Sequence, residues 1–339
     1  MINSYLRVSI IASTLATMEK RRVLSREANV SASLLCLGTL PFGTTVGEDT
    51  AFALLDRFLE AGGTAIDTAN NYAFWVDGAT GDESEELIGR WVASRRARDR
   101  VIVGSKCGAR PRRPGAGLDD SEGLSPSAIR RACESSLCRL RTDRIDIYWA
   151  HWEDRSVPLE ETVGAFGELV AEGKVRLLGL SNHRTWRIER ARALARAAAL
   201  PDFVCVQNRH SYIVPRPGAQ LPEWAHVLVG PDLIDYARSE TELTIFAYST
   251  LLSGAYTRAD KPVPEQYDHP GTTRRLAALR DVAADLGATP NQVVLAWLIG
   301  GDPPVVPIIG ATSVSQLEEN LGAFELELDA AQRARLDTA

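Results

Sequence analysis

Lysine is scarce in this chain: Lys20, Lys106, Lys174 and Lys261 are its only four among 339 residues, and arginine carries the rest of the positive charge. Nor is there an excess of positive charge. The formal net charge is −6 at pH 7, which excludes a surface built mainly for nucleic acid or an anionic membrane and leaves a small molecule as the expected partner. The one basic concentration, residues 95–113, reads as a solvated helix end and loop. No apolar run approaches the roughly 20 residues that span a bilayer. The five cysteines, Cys36, Cys107, Cys133, Cys138 and Cys205, form no CxxC pair and match no zinc spacing, so no metal site is expected. An odd count in a long chain points to free thiols in a reducing compartment, here read as cytoplasmic. Cys107 adjoins Lys106 but is read as a small filler rather than a reactive thiol. No Gly-x-Gly-x-x-Gly follows the first strand, which weighs against an open dinucleotide-binding sheet.

What is present is an alternation. Short apolar runs over residues 34–38, 64–67, 101–105, 145–150, 175–180, 203–206, 243–247 and 305–309 read as buried strands, each followed by a segment of helical periodicity. Eight such repeats without a break predict an α/β protein with a single (β/α)8 TIM barrel. Residues 20–37 carry a weak alternation around a turn at residues 28–31 and predict a hairpin that plugs the barrel bottom. Residues 1–17 show no periodic pattern and no clean cleavage site after their mildly apolar part. They are expected to be a disordered extension, with the barrel spanning 18–339.

The strand ends carry the chemistry. The run Gly62-Gly63-Thr64-Ala65-Ile66 stops at Asp67, and Tyr72 follows in the next loop. Lys106 ends the third barrel strand and His151 the fourth. In a parallel barrel those ends share one face, so Asp67, Tyr72, Lys106 and His151 are expected to converge. Ser181-Asn182 and Gln207-Asn208 end the next two strands, where they could hydrogen-bond an amide or serve as helix caps. Tyr248-Ser249 ends the seventh. Gly310-Ala311-Thr312-Ser313 ends the eighth at a helix start, where backbone N–H groups favour a phosphate.

These residues match a known family. Gly63-x-x-x-Asp67-Thr68-Ala69-x-x-Tyr72, the Lys106 and His151 strands, Gly179-x-Ser181-Asn182, Val206-Gln207-Asn208, Ala247-Tyr248-Ser249 and Pro307-Ile308-Ile309-Gly310-Ala311, followed by Gln316 and Glu319-Asn320, together resemble the aldo-keto reductases over roughly residues 20–339. The resemblance implies an NAD(P)H-dependent barrel enzyme that reduces an aldehyde or ketone. It implies Asp67, Tyr72, Lys106 and His151 as a catalytic tetrad, and Ser181, Asn182 and Gln207 on the nicotinamide carboxamide with Tyr248 stacked on the ring. Ser249, Leu251, Ser253 and Arg258 would follow the pyrophosphate, and Gly310, Ser313, Gln316, Glu319 and Asn320 the phosphate and adenosine end.

The chemistry agrees. A free phenol has a pKa near 10 and is a poor acid at neutral pH; a lysine cation beside it is expected to lower that value. Asp67 would keep the lysine charged, and His151 could donate to the same oxygen. Two other readings compete: a Schiff-base lysine of the aldolase type, which leaves Ser181, Asn182 and Gln207 without a role, and a redox-sensing regulatory subunit that holds the dinucleotide and turns over slowly. The substrate pocket is expected to be lined by Phe42, Phe74, Trp75, Trp152, Tyr212 and Trp224, with little contribution from the tail. The last barrel helix offers no basic residue for a 2′-phosphate, but the Ser313-x-x-Gln316-x-x-Glu319-Asn320 pattern resembles a branch that binds NADP through hydroxyl and amide groups, so NADPH is the expected cofactor.

Overall fold

The structure, a computed structural model, describes residues 21–113 and 115–339. The expectation for residues 1–17 lies outside the described residues. Two strands, β1 (Arg21–Ser25) and β2 (Val30–Ser33), pair antiparallel through a turn in which Asn29 takes φ +49°. Eight further strands close a parallel barrel: β3 (Cys36–Gly38), β4 (Ala65–Asp67), β5 (Ile102–Cys107), β6 (Ile145–Ala150), β7 (Val175–Ser181), β8 (Phe203–Arg209), β9 (Thr244–Tyr248) and β10 (Val305–Ile309). Closure comes from β3, which pairs with β4 on one side and β10 on the other.

The hairpin plugs the bottom, as its alternation implies. Leu24, Val30 and Ala32 pack on inward side chains from most of the strands, among them Cys36, Ala65, Ile147, Trp149, Cys205, Phe246 and Val306. Its polar edge is tied to the strand starts: the Arg21 guanidinium donates to Thr64 Oγ1 at 2.7 Å and Arg22 Nε to Thr244 Oγ1 at 3.1 Å. Burial of that apolar face supplies the driving force, and the arginine contacts set its register.

Helices cover the outside: α1 (Glu48–Glu60), α2 (Glu83–Arg95), α3 (Pro126–Leu140), α4 (Leu159–Ala171), α5 (Thr185–Ala197), α6 (Pro231–Ser239), α7 (Pro270–Leu286), α8 (Pro290–Ile299) and α9 (Val314–Leu321). Local chemistry explains their starts. Ser125 caps α3 by accepting from Ala128 N, with Pro126 in the first turn, and Thr289 and Gln292 form a reciprocal capping box on α8. No single described helix is long and apolar enough to cross a membrane.

Two expectations gain detail and one needs correction. The tail forms a helix of its own, in which Asp329 and Gln332 make a capping box that opens α10 (Ala330–Asp337); it docks on α7 and, as expected, adds no residue to the pocket. The arginines of residues 95–113 mostly stay in solvent, as expected, with Arg95, Arg96, Arg100, Arg112 and Arg113 exposed, while Arg98 pairs with buried Asp146 and Arg110 with Asp82. And β5 and β8 run two to three residues further than expected, because polar side chains at a parallel strand's carboxyl end project into an open cleft and need no apolar partner.

One glycine shows how tightly the barrel floor is packed. A Cβ on Gly179 of β7 would lie 2.1 Å from the Trp149 ring, which crosses over it from β6. The Gly179-x-Ser181 spacing therefore answers to the indole, and no larger residue fits there.

Candidate active site

Register brings the ionisable strand ends together. Asp67 closes β4, Lys106 lies two residues beyond Gly104, its neighbour on β5, and Tyr72 returns over both from the following loop. Lys106 Nζ donates to Asp67 Oδ2 at 2.6 Å, to the Thr68 carbonyl at 2.8 Å and contacts the Tyr72 oxygen at 2.5 Å. The Tyr72 hydroxyl donates to Asp67 Oδ2 at 2.8 Å, and Gln207 Nε2 holds the other carboxylate oxygen at 2.9 Å. His151, just past β6, sets its ring edge-on to that of Tyr72 at 6.3 Å, and its Nδ1 has no partner. The four residues expected to converge do so.

Their acidities follow from burial. Burial, followed by the charge of Asp67 and the hydrogen bond to it, pushes the Tyr72 phenol well above its ordinary value. The pull of Lys106 toward the phenolate is outweighed in this geometry, because the phenol is out of water and donates to a carboxylate, which favours the neutral form. Burial also lowers Lys106, opposed by Asp67, and holds His151 well below the usual imidazole range, with Lys106 adding to the effect. The Cys107 thiol is raised, mainly by burial, as befits a filler. Lys106, wholly buried and engaged by three oxygens, is unsuited to attack a carbonyl as a Schiff-base amine.

Asp67, Tyr72 and His151 line a cleft of about 870 Å³ that runs to α9, while Lys106 lies wholly buried behind them. Ser181, Asn182, Gln207, Tyr248, Ser249, Leu251, Ser253, Arg258, Gly310, Gln316, Glu319 and Asn320 all line it. Ser313 does not; it caps α9 by accepting from Gln316 N at 3.3 Å. Asn182, Ser249, Leu252 and Ser253 take left-handed φ of +58°, +57°, +46° and +57°. Such strain in non-glycine residues collects at functional sites. The Asn182 amide joins the walls: it donates to the His151 carbonyl and accepts from the Tyr248 hydroxyl at 2.6 Å.

The substrate end divides the expected aromatics. Phe74, Trp75 and Trp152 line the cleft, with Leu40 and Leu118 beside them. Trp224 stands at the rim, 69% exposed, and packs edge-on against Trp152 at 5.5 Å. Phe42 and Tyr212 are not there. Phe42 is fully buried in the core, and Tyr212 is buried beneath α10, where its hydroxyl donates to the Leu336 carbonyl at 3.0 Å. Their rings are absorbed by packing, the larger demand on any aromatic in a loop.

Among the lining residues that went unanticipated, three stand out. Leu40 follows the first barrel strand. Asn291 opens α8 and bonds Thr257 and Glu319 through Nδ2, while its Oδ1 is buried without a partner. Arg209 ends β8 two residues after Gln207, so the two-residue period of a strand puts both on one side. A wall with amide side chains at one end and a row of hydroxyls beyond offers polar groups along the length of a ligand that carries amide and phosphate groups.

Comparisons with known proteins agree with this geometry. The model of the "Aldo/keto reductase family" matches residues 34–339. The norsolorinic acid reductase stcV of Emericella nidulans is 34% identical over 330 residues, covering 91% of this chain and 78% of that protein. An aryl-alcohol dehydrogenase of Pestalotiopsis microspora is 30% identical over 326 residues, covering 92% and 79%. The crystal structure of the thermostable aldo-keto reductase Tm1743, in complex with the inhibitor epalrestat, aligns with a TM-score of 0.72 at 27% identity, over 94% of this chain and 99% of that one.

Proposed function

The chain belongs to the aldo/keto reductase family, whose members are NAD(P)H-dependent oxidoreductases, and on that premise we propose that it reduces an aromatic aldehyde or ketone with NADPH, Tyr72 acting as the general acid. The observation that carries this reading is the contact of one phenol oxygen with both Lys106 Nζ and Asp67 Oδ2 at the head of an aromatic-lined cleft.

Bound reduced nicotinamide supplies a hydride to the carbonyl carbon. Everything else falls to the side chains. Tyr72 holds a proton at Oη, kept there by burial until an alkoxide, a far stronger base, develops beside it. Lys106, 2.5 Å away, stabilises the phenolate left behind. Asp67 keeps Lys106 protonated against its burial. His151, neutral at physiological pH, can donate a hydrogen bond to the carbonyl oxygen and fix its orientation. Trp75 and Trp152 offer flat apolar surface to the substrate, and the aryl-alcohol name of one relative supports an aromatic carbonyl.

The amides of Gln316 and Asn320, with the N-terminus of α9, support NADPH over NADH. Uncharged hydrogen bonds discriminate modestly, by about 10- to 100-fold in affinity. Titration of both nucleotides by tryptophan fluorescence, followed by an NADPH-oxidation screen over aromatic, aliphatic and sugar aldehydes, tests the reading. Equal affinities would remove the preference, and failure of every carbonyl to oxidise NADPH would remove the reductase. The free cysteines, four of them buried, support a reducing, cytoplasmic setting.

A further inference from the structure

Two arginines line the cleft, and they differ in what balances their charge. Arg258, in the loop after β9, is bidentate on Asp260, with Nε to Oδ1 at 3.0 Å and Nη2 to Oδ2 at 2.5 Å. Its side chain is about half exposed. Arg209 is 8% exposed, and its partners are neutral. Nε donates to the Tyr267 hydroxyl and Nη1 to Ser249 Oγ, each at 3.0 Å, and the guanidinium carbon lies 6.0 Å from the Tyr267 ring centre. Among the described residues Arg209 forms no salt bridge. A buried charge without a counter-charge is costly, and folds keep one only where something pairs with it.

Its position indicates what that is. The β8 backbone places Arg209 on the same side as Gln207, and its side chain reaches Ser249 on the wall that continues through Leu251 and Ser253. It therefore stands between the amide-binding group at Asn182 and Gln207 and the row of hydroxyls beyond β9. The opposite, aromatic end of the cleft carries Glu223 near its rim, which disfavours a second anion there. His226 beside Arg209 is lowered to about 4, first by burial and then by the guanidinium, so it adds no positive charge.

We propose that Arg209 is the buried counter-charge for the pyrophosphate of the dinucleotide, a task for which Arg258 is already neutralised by Asp260. This rests on the reductase reading above. A guanidinium held by two neutral acceptors keeps further N–H groups for a phosphate oxygen, in the planar fork that suits one.

The test is an Arg209→Met substitution with NADPH titrated by tryptophan fluorescence. Kd is expected to rise by about 10- to 100-fold, the scale of a lost charge-assisted hydrogen bond, and its dependence on salt to flatten. Arg216→Met, which removes an exposed arginine paired with Glu265 outside the cleft, is expected to change Kd by less than about threefold. In the unsubstituted protein, inorganic pyrophosphate should compete with NADPH and raise the melting temperature; the Arg209→Met protein should show neither. An Arg209→Met Kd within twofold of the parent overturns the proposal. If that variant fails to fold, absence of pyrophosphate competition in the parent protein overturns it instead. Unchanged NADPH affinity with a selective loss of KM for 4-carboxybenzaldehyde over benzaldehyde would assign the charge to substrate, which also overturns it. If the parent protein binds and oxidises NADPH normally while Arg209→Met is silent, only this inference falls; if the parent binds no nucleotide, the reductase reading falls with it.

Discussion

Two buried aspartates stand at opposite ends of one barrel and do different work. Asp146, the second residue of β6, accepts from Val103 N at 2.9 Å and pairs with Arg98 at 2.8 Å and Arg176 at 3.2 Å. Arg176 also reaches the Ala28 carbonyl in the hairpin turn. Every partner of that carboxylate is fixed in charge, since arginine does not release its proton in a protein. Asp67, the last residue of β4, is held by Lys106, Tyr72 and Gln207, and two of these can lose a proton. The bottom aspartate ties the plug to the strands. The top one keeps mobile protons in place. Burial is nearly identical for the two; what separates them is the acidity of their partners.

Substitutions can break that contrast. Tyr72→Phe removes the one proton the upper site can deliver. Turnover should fall by about 100-fold or more, with NADPH affinity unchanged; near-parental reduction by the variant would take Tyr72 out of the mechanism. Asp146→Ala leaves two arginines facing each other at the lower end. It should cost about 3 kcal/mol by denaturant melting, while kcat of the folded protein holds. A drop in kcat without a loss of stability would erase the distinction between the two ends. At the far side of the molecule, Asp329→Ala removes the cap of α10 and should lower stability by about 1 kcal/mol, read as a small shift in melting temperature. A large loss of activity would show that α10 shapes the site.

The smallest expected effect is that of pH. Tyr72 is raised, so it stays protonated below its ordinary pKa and through neutrality, and proton delivery is lost only on the alkaline side. His151 is lowered, so it is already neutral there and gains charge only in acid. The reduction rate should therefore be flat from about pH 6 to pH 8, and an inflection near 6.5, the ordinary imidazole value, would show that His151 titrates in the working enzyme.

Much of this was legible in the chain. The order of strands and the convergence of Asp67, Tyr72, Lys106 and His151 follow from where apolar runs stop, because a parallel strand must end its burial where the cleft begins; Leu251, Ser253, Arg258, Gln316, Glu319 and Asn320 came from the family resemblance, and all of them line the same cleft. Scarcity helped: a lysine kept at a buried strand end in a chain that otherwise uses arginine singles out Lys106. Phe42 and Tyr212 were misplaced because loop aromatics meet core and cleft with equal ease, and only the path of the loop decides. Ser313 was placed on the ligand although its own helix claims its hydroxyl. Arg209 lay hidden because strand β8 was ended at Val206, before the alternation that aligns it with Gln207. The Tyr72 acidity needed coordinates, since the sign of the shift depends on which atom receives the phenol proton.

The pairing of β3 with β10 also bears on how the chain is made. Cys36 and Leu37 meet Ile308 and Ile309, so the cylinder cannot shut until β10 has left the ribosome. The hairpin is synthesised before any barrel strand, yet its socket includes Val306 of β10, the last strand of the barrel. Throughout elongation Leu24 and Val30 have only part of a floor to rest on. A contact map this non-local slows folding and leaves apolar surface open meanwhile, which makes the nascent barrel a natural client for chaperones that shield such surface.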